Sequence, residues 1–198
     1  MYRRFGKRGF DLIAAALLIA ALAPVMAALA LLVRLALGRP VLFRQTRAGR
    51  GGAPFTLLKF RSLRDGPGDD AARMTRIGRA MRAVALDELP QLANVLRGEM
   101  SLVGPRPLPL DYLPRFTARE AMRLTVRPGL AGLAQAAGRN AVPWEARLEL
   151  DARYAETPPR LLHDQWLLLR CAALAATARG ATAPGHATMP ALQSKNGT

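Results

Sequence analysis

The sequence LIAAALLIAALAPVMAALALLV, residues Leu12–Val33, decides the architecture because it holds 22 consecutive residues without a charge. As a helix it would rise about 33 Å, enough to cross a hydrocarbon core of about 30 Å. A plain membrane-spanning helix is therefore one interpretation. A signal peptide fits the basic start, but its apolar core is shorter. A core helix of a soluble domain rarely has this length.

Basic residues flank this stretch on both sides. They are Arg3, Arg4, Lys7 and Arg8 before it, and Arg34, Arg39, Arg44, Arg47 and Arg50 after it. Basic flanks prefer the cytoplasmic face, so both ends favour the same side of the membrane. Pro24, near the middle, removes a backbone donor and bends a helix. The pattern favours a kinked, re-entrant helix with Tyr2 and Pro40 both cytoplasmic, and a spanning helix is the alternative.

The rest of the composition indicates one domain that binds anions. The chain has 198 residues and a net charge of +15, which suits nucleic acid, acidic lipids or phosphorylated substrates. Cys171 is the single cysteine, so an intrachain disulfide is excluded, and with His163 and His186 as the only histidines the composition disfavours a Cys/His metal site. A site at which carboxylates bind a hard cation remains an open alternative. We expect a membrane anchor at 1–38, a cytosolic domain at 39–179 and a disordered tail at 180–198.

Local patterns predict an α+β domain that is mostly helical. Val41–Phe43 and Phe55–Phe60 are predicted strands around Gly49-Arg50-Gly51-Gly52, which fits a hairpin turn better than a phosphate loop. Residues 101–107 are expected to be extended and then locked by prolines, and Pro128-Gly129 to form a turn. Helices are predicted at 72–86, 87–97, 117–124, 143–154 and 160–177.

The predicted helix at 72–86 has two stripes. Its apolar face consists of Met74, Ile77, Met81 and Val84, and its basic stripe of Arg73, Arg76, Arg79 and Arg82. An apolar stripe beside a basic one is typical of a helix that lies in a lipid interface. An ordinary surface helix with a solvated charged face is the alternative.

Two adjacent acids carry the clearest chemical signal. Asp87-Glu88 is predicted to start a helix, with Asp87 as an ordinary N-cap or, alternatively, as a ligand of Mg²⁺ or a nucleophile toward phosphorus. Lys59, Arg106 and Arg139 could each be surface charges. Together with the acidic pair they indicate a clamp for phosphate or pyrophosphate.

In several segments that follow one another in the same order, the chain closely resembles the bacterial sugar transferases. These are monotopic phosphoglycosyl transferases that act on polyprenol phosphate. The likeness covers residues 7–165. The matching segments are Lys7-Arg8 with Asp11; Gly38-Arg39-Pro40-Val41 with Phe43, Gln45 and Arg47; Lys59-Phe60-Arg61-Ser62; Leu86-Asp87-Glu88-Leu89-Pro90-Gln91-Leu92; Asn94-Val95-Leu96; Met100-Ser101-Leu102-Val103-Gly104-Pro105-Arg106-Pro107; Val126-Arg127-Pro128-Gly129; and Ala134-Gln135 with Gly138-Arg139-Asn140. The length is similar to that of members with a catalytic domain and no extra membrane helices.

The resemblance implies a kinked re-entrant helix, bent at Pro24, on the inner membrane of a bacterium, with the catalytic domain at the cytoplasmic face. It implies that Asp87 attacks the β-phosphate of a UDP-sugar and that UMP leaves. Polyprenol phosphate then takes the phosphosugar from the enzyme. By likeness Mg²⁺ lies beside Asp87 and Glu88. Likewise, Lys59, Arg106 and Arg139 would hold phosphate groups, and Asp151 would support substrate binding.

Some residues depart from the family pattern. Ala23 stands before Pro24 where the family commonly has serine, so the bend would depend on the proline alone. Ala131 and Ala137 replace a commoner threonine and valine.

A different class of function is also open. A non-enzymatic, basic membrane-anchored module would bind nucleic acid or acidic lipid whether or not Asp87 is present. The enzyme hypothesis instead predicts UDP-sugar, polyprenol phosphate and membrane lipids as partners and no nucleic acid. The apolar last helix leaves room for a homodimer.

Overall fold

The computed structural model describes residues 6–182 and 191–192. Its first element is helix α1, Lys7–Leu37, which continues through Pro24 and ends at Gly38. Within the described residues α1 alone is long and apolar enough to cross a membrane. The predicted apolar helix is therefore confirmed, while its bend and its topology stay predictions. Tyr2, Arg3, Arg4 and most of the predicted tail at 180–198 lie outside the described residues.

An antiparallel hairpin follows α1. Strand β1, Leu42–Ala48, pairs with strand β2, Pro54–Phe60, so that Phe43 lies opposite Lys59. A 3-10 turn, Arg50–Gly52, joins the strands, and both of its glycines have positive φ. The predicted hairpin and its turn are confirmed, although β1 runs five residues beyond the predicted Phe43.

The single helix predicted at 72–86 is wrong. Instead, helix α2, Asp70–Arg73, is separated from helix α3, Arg76–Ala83, by an extended Met74 that pairs with Leu63. The hydroxyl of Thr75 accepts a hydrogen bond of 2.9 Å from the Gly78 N–H and caps α3. Threonine favours such a cap over a helix interior, which explains the interruption.

A two-stranded parallel sheet lies in the centre. Helix α4, Gln91–Arg97, ends at Gly98 and leads into strand β3, Ser101–Val103, which pairs with strand β4, Gly129–Ala131. The turn predicted at Pro128-Gly129 is wrong because Gly129 begins β4. A Cβ at position 129 would lie 2.0 Å from the Gly104 nitrogen, so glycine serves here for close approach of two backbones.

Helices form the remainder of the domain. They are α5, Ala118–Ala121; α6, Leu133–Gly138; α7, Trp144–Glu156; and α8, Leu161–Ala176, with 3-10 turns at Leu86–Glu88, Leu110–Arg115, Met122–Thr125 and Arg139–Ala141. The helices predicted near 117–124, 143–154 and 160–177 are confirmed. Helix α6 was not predicted, because its small residues carry no clear apolar period. The α+β, mostly helical fold class is confirmed.

Helix α1 contacts the domain near both of its ends. Near the start, the buried Asp11 carboxylate accepts hydrogen bonds from the Ser101 hydroxyl at 2.8 Å and from the Leu102 N–H at 3.1 Å. Near the end, Val33 is fully buried in a cluster with Phe60 and Met81. One stripe of α1 therefore lies on the domain over most of its length, and the opposite face is exposed.

Candidate active site

The acidic pair lies in the 3-10 turn Leu86–Glu88, between α3 and α4. The N-cap predicted at Asp87 is wrong, because α4 begins at Gln91 and Pro90 occupies the cap position. Ala85 turns the chain with a φ of 58°, a left-handed conformation that is costly for a residue with a Cβ. This turn directs Asp87, which is 5% exposed, toward a cavity.

The cavity has a volume of about 790 Å³ and brings together most of the predicted site. Lys59, Asp87, Glu88, Arg106 and Arg139 all line it, although they come from separate parts of the chain. Among the described residues that line it, ten are basic and four are acidic. Such an excess of positive charge favours a polyanionic ligand.

Glu88 is held between two cations. The Lys59 ammonium donates to its carboxylate at 2.8 Å, and the Arg106 guanidinium binds both carboxylate oxygens, one of them at 3.2 Å. Burial alone would raise the pKa of Glu88, but the charges of Arg106 and Lys59 outweigh it and hold that pKa well below its usual range. The charge of Glu88 in turn raises the pKa of Arg106. Glu88 therefore stays ionised and fixes both cations in place.

Asp87 has a contrasting environment. Within residues 6–182 and 191–192, no hydrogen bond or ion pair reaches its carboxylate. Burial raises the pKa of Asp87, and the neighbouring charge of Glu88 raises it further, while Lys59, Arg82 and Arg106 oppose the shift. A desolvated carboxylate whose lone pairs face a cavity can attack an electrophile or coordinate a cation.

Asp151 does not line the cavity. It is fully buried and forms an ion pair of 2.7 Å with Arg123. The same guanidinium donates a hydrogen bond of 2.6 Å to the Arg106 carbonyl. Asp151 therefore lies behind the Arg106 loop and could act on the site through Arg123 or through its charge on Arg106.

Arg139 lines the cavity and also fastens its wall. Its guanidinium donates to the carbonyls of Ala83 at 2.7 Å and Arg82 at 3.1 Å, at the end of α3. These bonds fix the residues that immediately precede the acidic turn.

The sequence did not identify several cavity residues, among them Arg47 and Arg147. Burial lowers the pKa of each to about 10, and the charge of Arg106 adds to the effect. Arg47 was noted as a basic flank of the membrane segment and as part of a segment that matches the family, but not as a site residue. Nothing in the local sequence separates these buried arginines from the many that lie on the surface.

The donor atoms fit a Mg²⁺ ion that is shared with a substrate. No group of three or more acidic, histidine or cysteine side chains in the described residues could hold a metal alone. Mg²⁺ is commonly bound by one or two carboxylates together with substrate phosphates. Asp87 has free oxygens for this role, whereas the oxygens of Glu88 already accept hydrogen bonds from Lys59 and Arg106.

Comparison with known proteins identifies the family. A sequence model of the bacterial sugar transferase family matches residues 2–177. The sugar transferase EpsL of Bacillus subtilis is 49% identical over 156 residues, which cover 76% of this chain and 77% of EpsL. The exopolysaccharide production protein ExoY of Sinorhizobium fredii is 36% identical over 174 residues, or 76% of each chain.

A third relative has a more specific name. The UDP-glucose:undecaprenyl-phosphate glucose-1-phosphate transferase of Caulobacter vibrioides is 52% identical over 145 residues. The match covers 67% of this chain and 54% of that enzyme, so this chain spans about half of its length.

Proposed function

This chain belongs to the bacterial sugar transferase family, and we propose that it transfers a phosphosugar from a UDP-sugar to polyprenol phosphate, with release of UMP. The observation that carries the proposal is the pairing of a free, cavity-facing Asp87 with a Glu88 held by two cations. The names of the relatives support a sugar-phosphate donor and an undecaprenyl-phosphate acceptor.

The proposed reaction has two displacements at one phosphorus. A carboxylate oxygen of Asp87 attacks the β-phosphorus of the donor, the bond between that phosphorus and the bridging oxygen breaks, and UMP leaves with the electron pair. A phosphate oxygen of the polyprenol phosphate then attacks the same phosphorus, and the Asp87 carboxylate is regenerated. Splitting the transfer in this way lets a soluble donor and a lipid acceptor react at different times.

The other cavity residues would stabilise charge during these steps. Lys59, Arg106 and Arg139 lie where they can contact the phosphate oxygens, on which negative charge accumulates in the transition state. Glu88 keeps Lys59 and Arg106 oriented. Bound beside Asp87, Mg²⁺ would neutralise part of the diphosphate charge.

Of the two acids, Asp87 is the better nucleophile. The lone pairs of Glu88 accept hydrogen bonds from Lys59 and Arg106, so attack by this carboxylate would require those bonds to break. Asp87 has no such bonds among the described residues, and its raised pKa indicates a more basic carboxylate.

Helix α1 would anchor the enzyme in one leaflet of the bacterial inner membrane, with the domain at the cytoplasmic face. Contacts at both ends of α1 with the same domain support this re-entrant arrangement, since a crossing helix would carry one end away from the domain. Ile13, Leu17 and Leu35 on the outer face are 66%, 65% and 76% exposed and would contact lipid. The site would then lie at the level of the lipid phosphate groups in the membrane.

The anchor proposal predicts the accessibility of two positions. In a Cys171→Ala background, Tyr2→Cys and Pro40→Cys should both resist a membrane-impermeant maleimide in intact cells and react once the inner membrane is permeabilised. A cysteine placed in a periplasmic loop of another protein serves as the positive control. Labelling of either position in intact cells would instead indicate a spanning helix.

The raised pKa of Asp87 predicts that the rate of UMP release falls at acid pH. Only the carboxylate attacks, so the rate should rise with pH through a midpoint above the ordinary aspartate pKa of about 3.9. In Glu88→Gln the acidic neighbour is lost and Lys59 and Arg106 lose their counter-charge. Both changes lower the pKa of Asp87, so the midpoint should move to lower pH. An unchanged midpoint in the residual activity of Glu88→Gln would contradict the assignment.

A screen of UDP-sugars tests the proposed function directly. Purified protein with Mg²⁺ and polyprenol phosphate should release UMP from at least one UDP-sugar, and the product should be a polyprenol-diphosphate sugar. The alternative of a non-enzymatic binding module gives no release with any donor and leaves the free Asp87 without a role. Failure across a broad panel of UDP-sugars would exclude the proposal.

A further inference from the structure

Gln135 is a buried cavity residue that the proposed chemistry does not use. Its side chain lies on α6, is 9% exposed and lines the same cavity as Asp87. Neither its amide nitrogen nor its amide oxygen has a hydrogen-bond partner among the described residues. A buried amide without partners is costly, and native proteins satisfy most such groups. Two unused hydrogen-bonding atoms at the wall of a cavity therefore indicate a ligand that supplies the partners.

The surroundings hold this amide in place. A Cβ at position 132 would lie 2.6 Å from Oε1 of Gln135, so glycine at this position leaves room for the amide. Helix α6 is fastened to α8 by a hydrogen bond of 2.8 Å from Arg170 Nε to the Ala136 carbonyl. The helix that carries Gln135 is thus fixed before a ligand arrives, which lowers the entropy cost of binding.

The chemistry of an amide disfavours the phosphates among the parts of the donor. A phosphate oxygen only accepts hydrogen bonds and would leave Oε1 unpaired, and ten basic residues of the described cavity wall are available to phosphate. A sugar hydroxyl both donates and accepts, so it can pair with both amide atoms. In the proposed cycle UMP leaves while the phosphosugar stays, so the sugar should occupy the more enclosed end of the cavity.

We infer that Gln135 hydrogen-bonds the sugar of the donor and contributes to the choice of sugar. This assignment rests on the proposed function for the identity of the donor. It concerns affinity for one part of the substrate and does not require that transfer occur. Binding and turnover can therefore be measured separately.

The test compares UDP with UDP-glucose, UDP-galactose and UDP-N-acetylglucosamine, since UDP lacks the sugar. Their dissociation constants are measured by calorimetry on the full chain carrying Asp87→Asn, which cannot form the phosphosugar adduct, and on the same chain with Gln135→Met added. This second change keeps the side-chain length and removes both polar atoms. We expect the preferred UDP-sugar to bind about tenfold more weakly to the variant, with UDP affinity unchanged. The melting temperature should stay the same or rise, because an unpaired buried amide is removed.

Three results would overturn the assignment. The first is an unchanged affinity for the UDP-sugar in Gln135→Met. The second is an equal loss of affinity for UDP, which would place uracil or phosphate at this residue. The third is a protein with Gln135 intact whose affinity for UDP is not increased by any sugar. If Gln135→Met does not fold, Gln135→Leu, which also removes both polar atoms and adds no charge, is held to the same criteria. A wild type that binds a UDP-sugar more tightly than UDP but never releases UMP would refute the proposed function and leave the Gln135 assignment intact.

Discussion

Replacing Asp87 with Asn should reduce UMP release by roughly 10⁴-fold or more, the scale observed when a covalent nucleophile is removed. The amide has nearly the same shape, so the fold should persist. Because burial raises the pKa of Asp87, its ionised form costs folding free energy above that pKa. The variant should therefore melt at the same or a higher temperature than the wild type at neutral pH.

Asp111→Asn is a suitable control for this substitution. Asp111 has a side chain that is 66% exposed, pairs with Arg115 at 3.9 Å and does not line the cavity. It should keep wild-type release of UMP. Stoichiometric release without acceptor, together with a phosphosugar adduct seen by mass spectrometry, should occur in the wild type and in Asp111→Asn but not in Asp87→Asn. Substantial turnover by Asp87→Asn would remove this residue from the mechanism.

The second large effect is on stability. Asp151→Asn leaves the Arg123 guanidinium buried without its counter-charge, and should lower the free energy of unfolding by about 3–5 kcal/mol. Urea denaturation of the two proteins measures this difference. The double variant Asp151→Leu with Arg123→Met should recover much of the loss, because neither charge is then buried. An Asp151→Asn protein as stable as the wild type would show that the pair contributes little.

The same double variant separates stability from the positioning of the Arg106 loop. Arg123 also donates to the Arg106 carbonyl, and methionine cannot replace that bond. We expect the double variant to fold yet to have a weaker affinity for the UDP-sugar than the wild type. Equal affinities would mean that Asp151 and Arg123 serve the fold alone.

Patterns along the chain predicted the elements that depend on local sequence. The apolar helix α1 and the β1–β2 hairpin belong to this group, whereas a third prediction, the convergence of Lys59, Arg106 and Arg139 on the acidic turn, does not. The first two follow from hydrophobicity and turn residues. The third came from the residue types, several cations with an acidic pair, together with the resemblance to a family, because spacing along a chain does not place distant cations together.

The errors occurred where distant pairing or capping overrode a local pattern. Gly129 has the neighbours of a turn residue, but its backbone lies against Gly104 in a parallel sheet. Thr75 interrupts an otherwise continuous amphipathic stripe by capping α3. Asp164 is a third case: an acid near the start of a helix is ordinarily a helix-face residue, yet Asp164 is fully buried and binds Lys7 and Tyr154.

The ion pair between Lys7 and Asp164 joins residues that are 157 positions apart in the chain. At a synthesis rate of about 5–20 residues per second, roughly 8–30 s pass between the translation of the two residues. During that interval the ribosome carries an apolar helix whose set of partners on the domain is still incomplete. We therefore expect the nascent chain to reach the lipid surface before the enzyme can fold, so that membrane targeting precedes assembly of the catalytic cavity.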